Sequence, residues 1–311
     1  MYAGKLSTGG LFGSTDYGHT WGSAGSLSGG NWTGLACSAD GTRVYAVATS
    51  ANIQYSTNSG AKWLATGPGA TTWTAIDCSA NGSNVLASIN TGSLFLSTNA
   101  GVGTWNTTGP GNDNWSAVAV SADGKTLAAS INGKSIYVST NSGANWASNA
   151  PYAAWTALVM SADGTRLAAT ASNNSIYTSA NSGLTWSKSS AATNLWSCLT
   201  GSADCSRLVA GVSNGVLYAS VNFGATWSAL GSPSGQAWSA LTSSADGTQL
   251  AAAVNNNSTG NLYYSSSSDQ ATTLTSTNGV ITGSQRSAVE LQYLGNGQFM
   301  PISSAGTLWA N

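Results

Sequence analysis

Apolar and polar residues trade places in short runs along the whole chain, and no stretch carries the three-and-four spacing of an amphipathic helix. Residues 155–190, WTALVMSADGTRLAATASNNSIYTSANSGLTWSKSS, show the pattern well. Four β-rich runs, at 155–161, 166–172, 175–179 and 185–189, are separated by the turn residues Ala-Asp-Gly, Asn-Asn and Asn-Ser-Gly. We name these runs strands A, B, C and D. Their shortness and their turns predict one small antiparallel sheet.

The same four runs recur. The tract STNSGAKW at 56–63 returns as STNSGANW at 139–146, with further copies at 14–21, 97–105, 179–186 and 220–227. Each copy closes on a tryptophan: Trp21, Trp63, Trp105, Trp146, Trp186 and Trp227. A second series, Trp32, Trp73, Trp115, Trp155, Trp196 and Trp238, opens strand A on the same beat of about 41 residues. A third is the A–B turn, with Asp40, Asn81, Asp123, Asp163, Asp204 and Asp246. A fixed period of this length signals a solenoid, a propeller or an array, and four strands per repeat select the propeller.

The recurring tract, Ser-x-Asn/Asp-x-Gly-x-x-Trp between strands C and D, resembles the Asp-box of the sialidase-like (BNR) repeat propellers, written Ser-x-Asp-x-Gly-x-Thr-Trp. The resemblance covers six repeats. Asn replaces Asp in nearly all of them, and only Asp16 keeps the acid. In that family the box is a structural turn, usually remote from the active site. The resemblance therefore implies an all-β propeller of four-stranded antiparallel blades and leaves the activity open.

Counting strands bounds the architecture. The chain opens with strands B, C and D but no A, since MYAGK aligns with VYAVA at Val44, inside a B strand. Six repeats with an A strand follow, from Trp32 onward. The tail reads AVELQYLG, QFMPISS and GTLWAN, a further A, B and C. Seven closed blades leave a spare hairpin, and eight blades leave two incomplete. We expect a single domain over 1–311, seven-bladed with eight as the alternative, in which 275–311 closes the ring or crosses to another subunit. A start inside a blade also suggests that a longer precursor was trimmed.

Composition narrows the function. Charged residues are 6% of the 311, against roughly 25% in an average protein, and the net charge is −1. No basic patch exists for nucleic acid. No apolar run is long enough to span a membrane. A near-neutral surface kept in water by Ser, Thr, Asn and Gly favours association and suits an extracellular protein. One histidine and no Cys-x-x-Cys argue against a metal, and no cofactor motif is present. Cys37 and Cys78 hold equivalent positions in neighbouring repeats and point the same way, which disfavours a bond between them. Cys198 and Cys205 bracket one strand.

A sialidase-like active site would need three arginines on a carboxylate, and a tyrosine with acidic partners. Arg43, Arg166 and Arg207 instead share one repeat position, and Arg286 stands apart. Other glycosidases need two facing carboxylates. Most of the acids here belong to turns, and Asp77, Asp113, Asp269 and Glu290 are scattered. The expectation is no enzyme, with a sialidase-like glycosidase as the remote alternative.

The first expectation is a non-catalytic building block that self-associates into a filament, tube or layer, with copies of itself as partner. Its assembly residues would be Met1, Tyr2, Leu308 and Trp309 at the two ends. The alternative is a lectin-like propeller binding glycans or a cell surface. There Trp32, Trp73, Trp115, Trp155, Trp196 and Trp238 would stack on sugar rings, against the competing role of packing between blades. Tyr17 and Asn112 to Asn114 are weaker candidates.

Overall fold

The computed structural model describes the chain except residues 1, 5–9, 16–19, 26, 28–29, 257–258, 267–280, 284–287, 296–297, 306–307 and 311. Strands dominate it, and no helix long and apolar enough to cross a membrane occurs among the described residues. Two compact units divide the chain. One holds Met1–Gly13, Gly22–Leu167 and Ser179–Ser187, and the other Ser14–Trp21, Ala168–Thr178 and Lys188–Asn311.

The first unit contains three complete sheets in the order A–B–C–D. The first comprises Asn31–Cys37, Val44–Thr49, Ala51–Ser56 and Leu64–Thr71. The second comprises Trp73–Cys78, Val85–Ile89, Gly92–Ser97 and Asn106–Asp113. The third comprises Trp115–Val120, Leu127–Ile131, Ile136–Ser139 and Ala147–Ser148. Before them stands a three-stranded sheet of Tyr2–Gly4, Leu11–Gly13 and Gly22–Ser23, with no A strand paired to it.

The second unit repeats the plan with Asn194–Gly201, Leu208–Gly215, Leu217–Ser220 and Ser228–Ala229, then Gln236–Ser243, Gln249–Asn256 and Thr259–Ser266. Here the far end of B also pairs with the next A strand, Ser213 opposite Ala237 and Gly215 opposite Gln236.

Strand B is the buried centre of each sheet. Its residues, such as Val44–Ala48 and Leu127–Ile131, are almost wholly enclosed. That burial explains why B reads as an unbroken apolar run rather than alternating. The core lies between consecutive sheets. One cluster joins Tyr45, Val47 and Ile53 of one repeat to Trp73, Ile76 and Val85 of the next. Another joins Leu86 and Leu94 to Trp115, Val118 and Leu127. In the second unit Val209 and Leu217 meet Trp238, Leu250 and Val254.

Backbone bonds stitch the repeats together as well. Ala39 N–H donates to Ala80 O (2.7 Å), Ala80 to Ala122 (2.9 Å) and Ala122 to Ala162 (2.8 Å), one bond per A–B turn. Ala203 to Ala245 (2.7 Å) repeats it in the second unit.

The box turn is built from side-chain oxygens. In 139–146, Ser139 Oγ donates to Asn141 Oδ1 (2.9 Å) and accepts from Gly143 N–H (2.9 Å). Asn141 Oδ1 also accepts from Asn145 N–H (2.9 Å). The set recurs at Ser56–Asn58–Lys62, Ser179–Asn181–Thr185 and Ser220–Asn222–Thr226. All the accepting falls on one Oδ1, which an amide supplies as well as a carboxylate does. Asn therefore replaces Asp with no bond lost and no charge to solvate. Its spare Nδ2 gains a further acceptor at Thr185 Oγ1 and Thr226 Oγ1.

Each of the five boxes from 56 onward holds two consecutive left-handed residues, one more than its glycine alone accounts for. Ser59, Ala100, Ser142, Ser182 and Phe223 all sit at φ 53–56°, directly before the box glycine. The B–C turn has a similar position, filled by Ser50, Thr91, Gly133, Asn173 and Asn214, all with positive φ. Thr91, β-branched, is the costliest of these, since left-handed backbone strains an ordinary residue by about 1–2 kcal/mol. Thr91→Asn, copying two sister turns, should raise the free energy of unfolding by about 1 kcal/mol. Urea denaturation checks this, and an equal or lower midpoint would contradict it.

Candidate functional site

The repeated turns give each sheet two different ends. At one end the box is bound to the A–B turn of its own repeat: Ser59 N–H to Thr42 O (2.9 Å), Ala100 to Ser83 (2.8 Å) and Ser142 to Lys125 (2.8 Å). Phe223 N–H to Ser206 O (3.0 Å) does the same in the second unit. This end is regular and structural. The other end carries the B–C turns and D–A connections, which differ in sequence from repeat to repeat. There Asn90 N–H reaches Thr72 O (3.0 Å), Asn132 N–H reaches Asn114 O (3.0 Å) and Gly133 N–H reaches Ala153 O (2.9 Å).

The six strand-A tryptophans do not form sugar platforms. Trp32, Trp73, Trp115, Trp155, Trp196 and Trp238 are between 0% and 7% exposed. For Trp73, Trp115, Trp155, Trp196 and Trp238 the indole N–H is spent on backbone. Trp73 Nε1 donates to Ala51 O (2.9 Å), Trp115 to Gly92 O (2.9 Å), Trp155 to Lys134 O (2.9 Å) and Trp238 to Gly215 O (3.2 Å). Trp73, Trp115, Trp196 and Trp238 meet a strand-C aromatic edge to face. The glycan role expected for them is overturned, because no ring face is left for a ligand.

The acids are also accounted for. In the A–B turns Ser38, Ser161 and Ser202 donate to Asp40, Asp163 and Asp204, and each carboxylate accepts a backbone N–H two residues on. These bonds, the serine hydroxyl first, hold Asp40, Asp204 and Asp246 down to about 2. Asp77 is different. It sits on strand A, where sister repeats have Ala36 and Ala119, and its oxygens accept from Cys78 N–H and Val120 N–H, both at 2.8 Å. Burial lifts its pKa to about 6, against the lowering effect of the two N–H bonds. Among the described residues no second carboxylate contributes to that shift.

Asp113 belongs to the variable end. Lys134 Nζ donates to Asp113 Oδ2 at 2.7 Å, which lowers the acid and raises the lysine. Asn114 N–H binds the other oxygen (2.9 Å), and Ser93 Oγ donates to Asn112 Oδ1 (2.6 Å). Tyr152, on the neighbouring connection, is 79% exposed. Composition hid this residue, since a single Tyr outside the repeat pattern carries no signal until its surroundings are known.

All four cysteines are free thiols, and among the described residues no three His, Cys, Asp or Glu side chains come together as a metal cluster. Asp16, Tyr17, His19, Asp269 and Arg286 lie outside the described residues, as does Met1, and the side chain of Glu290 does too.

Tyr2 opens the edge strand of the first sheet, opposite Gly13. In the tail, Ala288–Gly295 pairs with Gln298–Ala305, as expected for A and B. The last strand departs from expectation. Leu308 and Trp309 pair with Gly283 and Thr282 instead of lying beside Gln298–Ala305 as a C strand. Gln298–Ala305 also carries Pro301, which has no N–H to give to a further strand.

No family model matches the chain, and no curated protein matches it by sequence. Solved structures do. An ancestral GH74 enzyme superposes with TM-score 0.58 at 14% identity, over 85% of this chain and 40% of that one. The Cps50 (Swd1) β-propeller domain of Myceliophteria thermophila superposes at 0.61 and 12% identity, over 82% of this chain and 95% of that domain. The chain has a β-propeller fold. YCF48 bound to a D1 peptide gives 0.61 at 15% identity, over 80% and 84%. The propeller spans only 40% of the ancestral GH74 enzyme, so it is similar to part of that protein. At these identities the likeness is one of fold.

Proposed function

We propose that this propeller is a non-catalytic extracellular building block that joins copies of itself by strand addition. The reading rests on complementary strand edges. Among the described residues the first sheet has B, C and D strands and no A strand on its Tyr2–Gly4 edge. The tail supplies Ala288–Gly295, an A strand by its place in the repeat, whose ladder among the described residues is with Gln298–Ala305. Pro301 faces Leu291 and has no N–H to give, so the hairpin is one ladder donor short at that point. An open row of N–H and C=O groups is a template for another chain. In a surface with 6% charged residues, little repulsion opposes the meeting of two copies. The same low charge supports a place outside the cell.

Leu291→Pro tests the reading. It removes one backbone donor from the tail's A strand, opposite a proline that already gives none. The native chain should sediment as a polymer, and the variant as a monomer with the same far-ultraviolet spectrum. Equal sedimentation of the two would refute strand addition through this edge.

A further inference from the structure

Tyr152 is the most exposed of the large hydrophobic side chains described, at 79%. Burying an aromatic of this size in water-free contact is worth several kcal/mol, so a ring held out in solvent is available surface for a partner. The ring is carried on a backbone that cannot drift. Pro151 precedes it with φ fixed, and Ala153 follows, held by two backbone bonds, Gly133 N–H to Ala153 O (2.9 Å) and Ala153 N–H to Lys134 O (3.0 Å). Lys134 O is held again by the buried Trp155 indole at 2.9 Å.

Beside the ring lies a polar surface already assembled. The Lys134 ammonium and the Asp113 carboxylate are locked together at 2.7 Å, and the lysine also feels the Tyr152 phenol. Asn132 and Asn114, joined through backbone at 3.0 Å, are exposed next to the pair. The ion pair keeps two ammonium protons and several carboxylate lone pairs free for further bonds. Its net charge is zero. A phosphate or a polyamine would have to break the pair to use either half, whereas a neutral ligand with adjacent hydroxyls can donate to Asp113 and accept from Lys134 at once.

We infer that Tyr152, with Lys134, Asp113, Asn114 and Asn132, forms a binding subsite for one ring of a neutral saccharide. The C–H face of the sugar stacks on the phenol ring, and its hydroxyls meet the ion pair and the amides. The site stands on one repeat, at the variable end of its sheet. It is independent of strand addition, though polymers would present it many times and gain avidity.

The test is titration of the full chain with cellohexaose, chitohexaose and mannohexaose, read by calorimetry and by saturation transfer to the sugar protons. At least one hexaose should bind with a dissociation constant of about 1 mM or tighter, around −4 kcal/mol. Tyr152→Ala should weaken that binding about tenfold or more, as loss of a central aromatic contact does. Tyr152→Trp should retain it. Leu184→Ser, which alters an exposed aliphatic on a box turn, should leave it unchanged. Absence of binding by all three sugars, or equal binding by Tyr152→Ala, would overturn the inference. So would selective binding of a proline-rich peptide in their place, which would make this a protein-docking surface.

Discussion

Trp115→Ala should lower the free energy of unfolding by about 3–5 kcal/mol, the range for emptying a large buried aromatic site. The ring is 1% exposed and sits in the core between two consecutive sheets, against Leu86, Leu94, Val118 and Leu127. It meets Tyr137 edge to face at 6.1 Å, and its Nε1 donates to Gly92 O at 2.9 Å. Truncation would remove all three contributions and strand a carbonyl at the sheet end. Trp115→Phe should cost less, because it keeps most of the volume and loses chiefly the hydrogen bond. Urea unfolding followed by far-ultraviolet circular dichroism measures both. A loss below about 1 kcal/mol for the alanine variant would mean that the ring is not core, since core truncations of this size cost several times that.

The second large effect depends on pH. Burial on strand A raises the folded-state pKa of Asp77 to about 6, above the ordinary carboxylate range of about 4. An acid whose pKa is raised by folding binds its proton more tightly in the folded state. Below the unfolded value both states are protonated and Asp77 contributes nothing. Above about 6 the folded state carries a buried charge at full cost. Stability should therefore fall as pH rises from about 4.5 to about 7.5, by roughly 2–3 kcal/mol. The turn acids act in another window. Asp40, Asp204 and Asp246, held down to about 2, lose their stabilising bonds only as pH drops below the ordinary carboxylate range. Asp77→Ala, which installs the residue found at Ala36 and Ala119, should flatten the slope between pH 4.5 and 7.5. Thermal melts across that window check it, and an unchanged slope in the variant would place the titration elsewhere.

Much of the fold was legible because it repeats. Period, turn chemistry and strand order all follow from residues that recur every 41 or so positions, and each repeat corrects the reading of the next. The Asn-for-Asp departure in the box costs the turn nothing, because one Oδ1 does the accepting in either residue. The second left-handed residue of each box was not legible. Ser59, Ala100, Ser142, Ser182 and Phe223 share a conformation but no chemistry, so only the backbone reveals it.

Strand D was misjudged for length. Residues 185–189 read as a full strand, yet Ser187–Lys188 is the whole of it, while Leu64–Thr71 and Asn106–Asp113 run to 8 residues. In the long strands pairing resumes beyond a bulge, Ala51 with Thr71 and Gly92 with Asp113. The strand-A tryptophans were ambiguous in principle. Packing and sugar stacking both call for a large aromatic with a polar tip, and only burial separates them. Tyr152 and Lys134, with Asp113, fall on connections that do not repeat, so their meeting is a property of the folded chain. Pro301 was a signal present in the sequence and not used, since a proline within a strand run marks an edge strand.

Negative-stain electron microscopy of the native chain, with light scattering on the same sample, tests the central claim. Strand addition from copy to copy predicts ordered polymers built from 31.2 kDa units. A uniform population of single propellers at 31.2 kDa, unchanged on concentration, would contradict it.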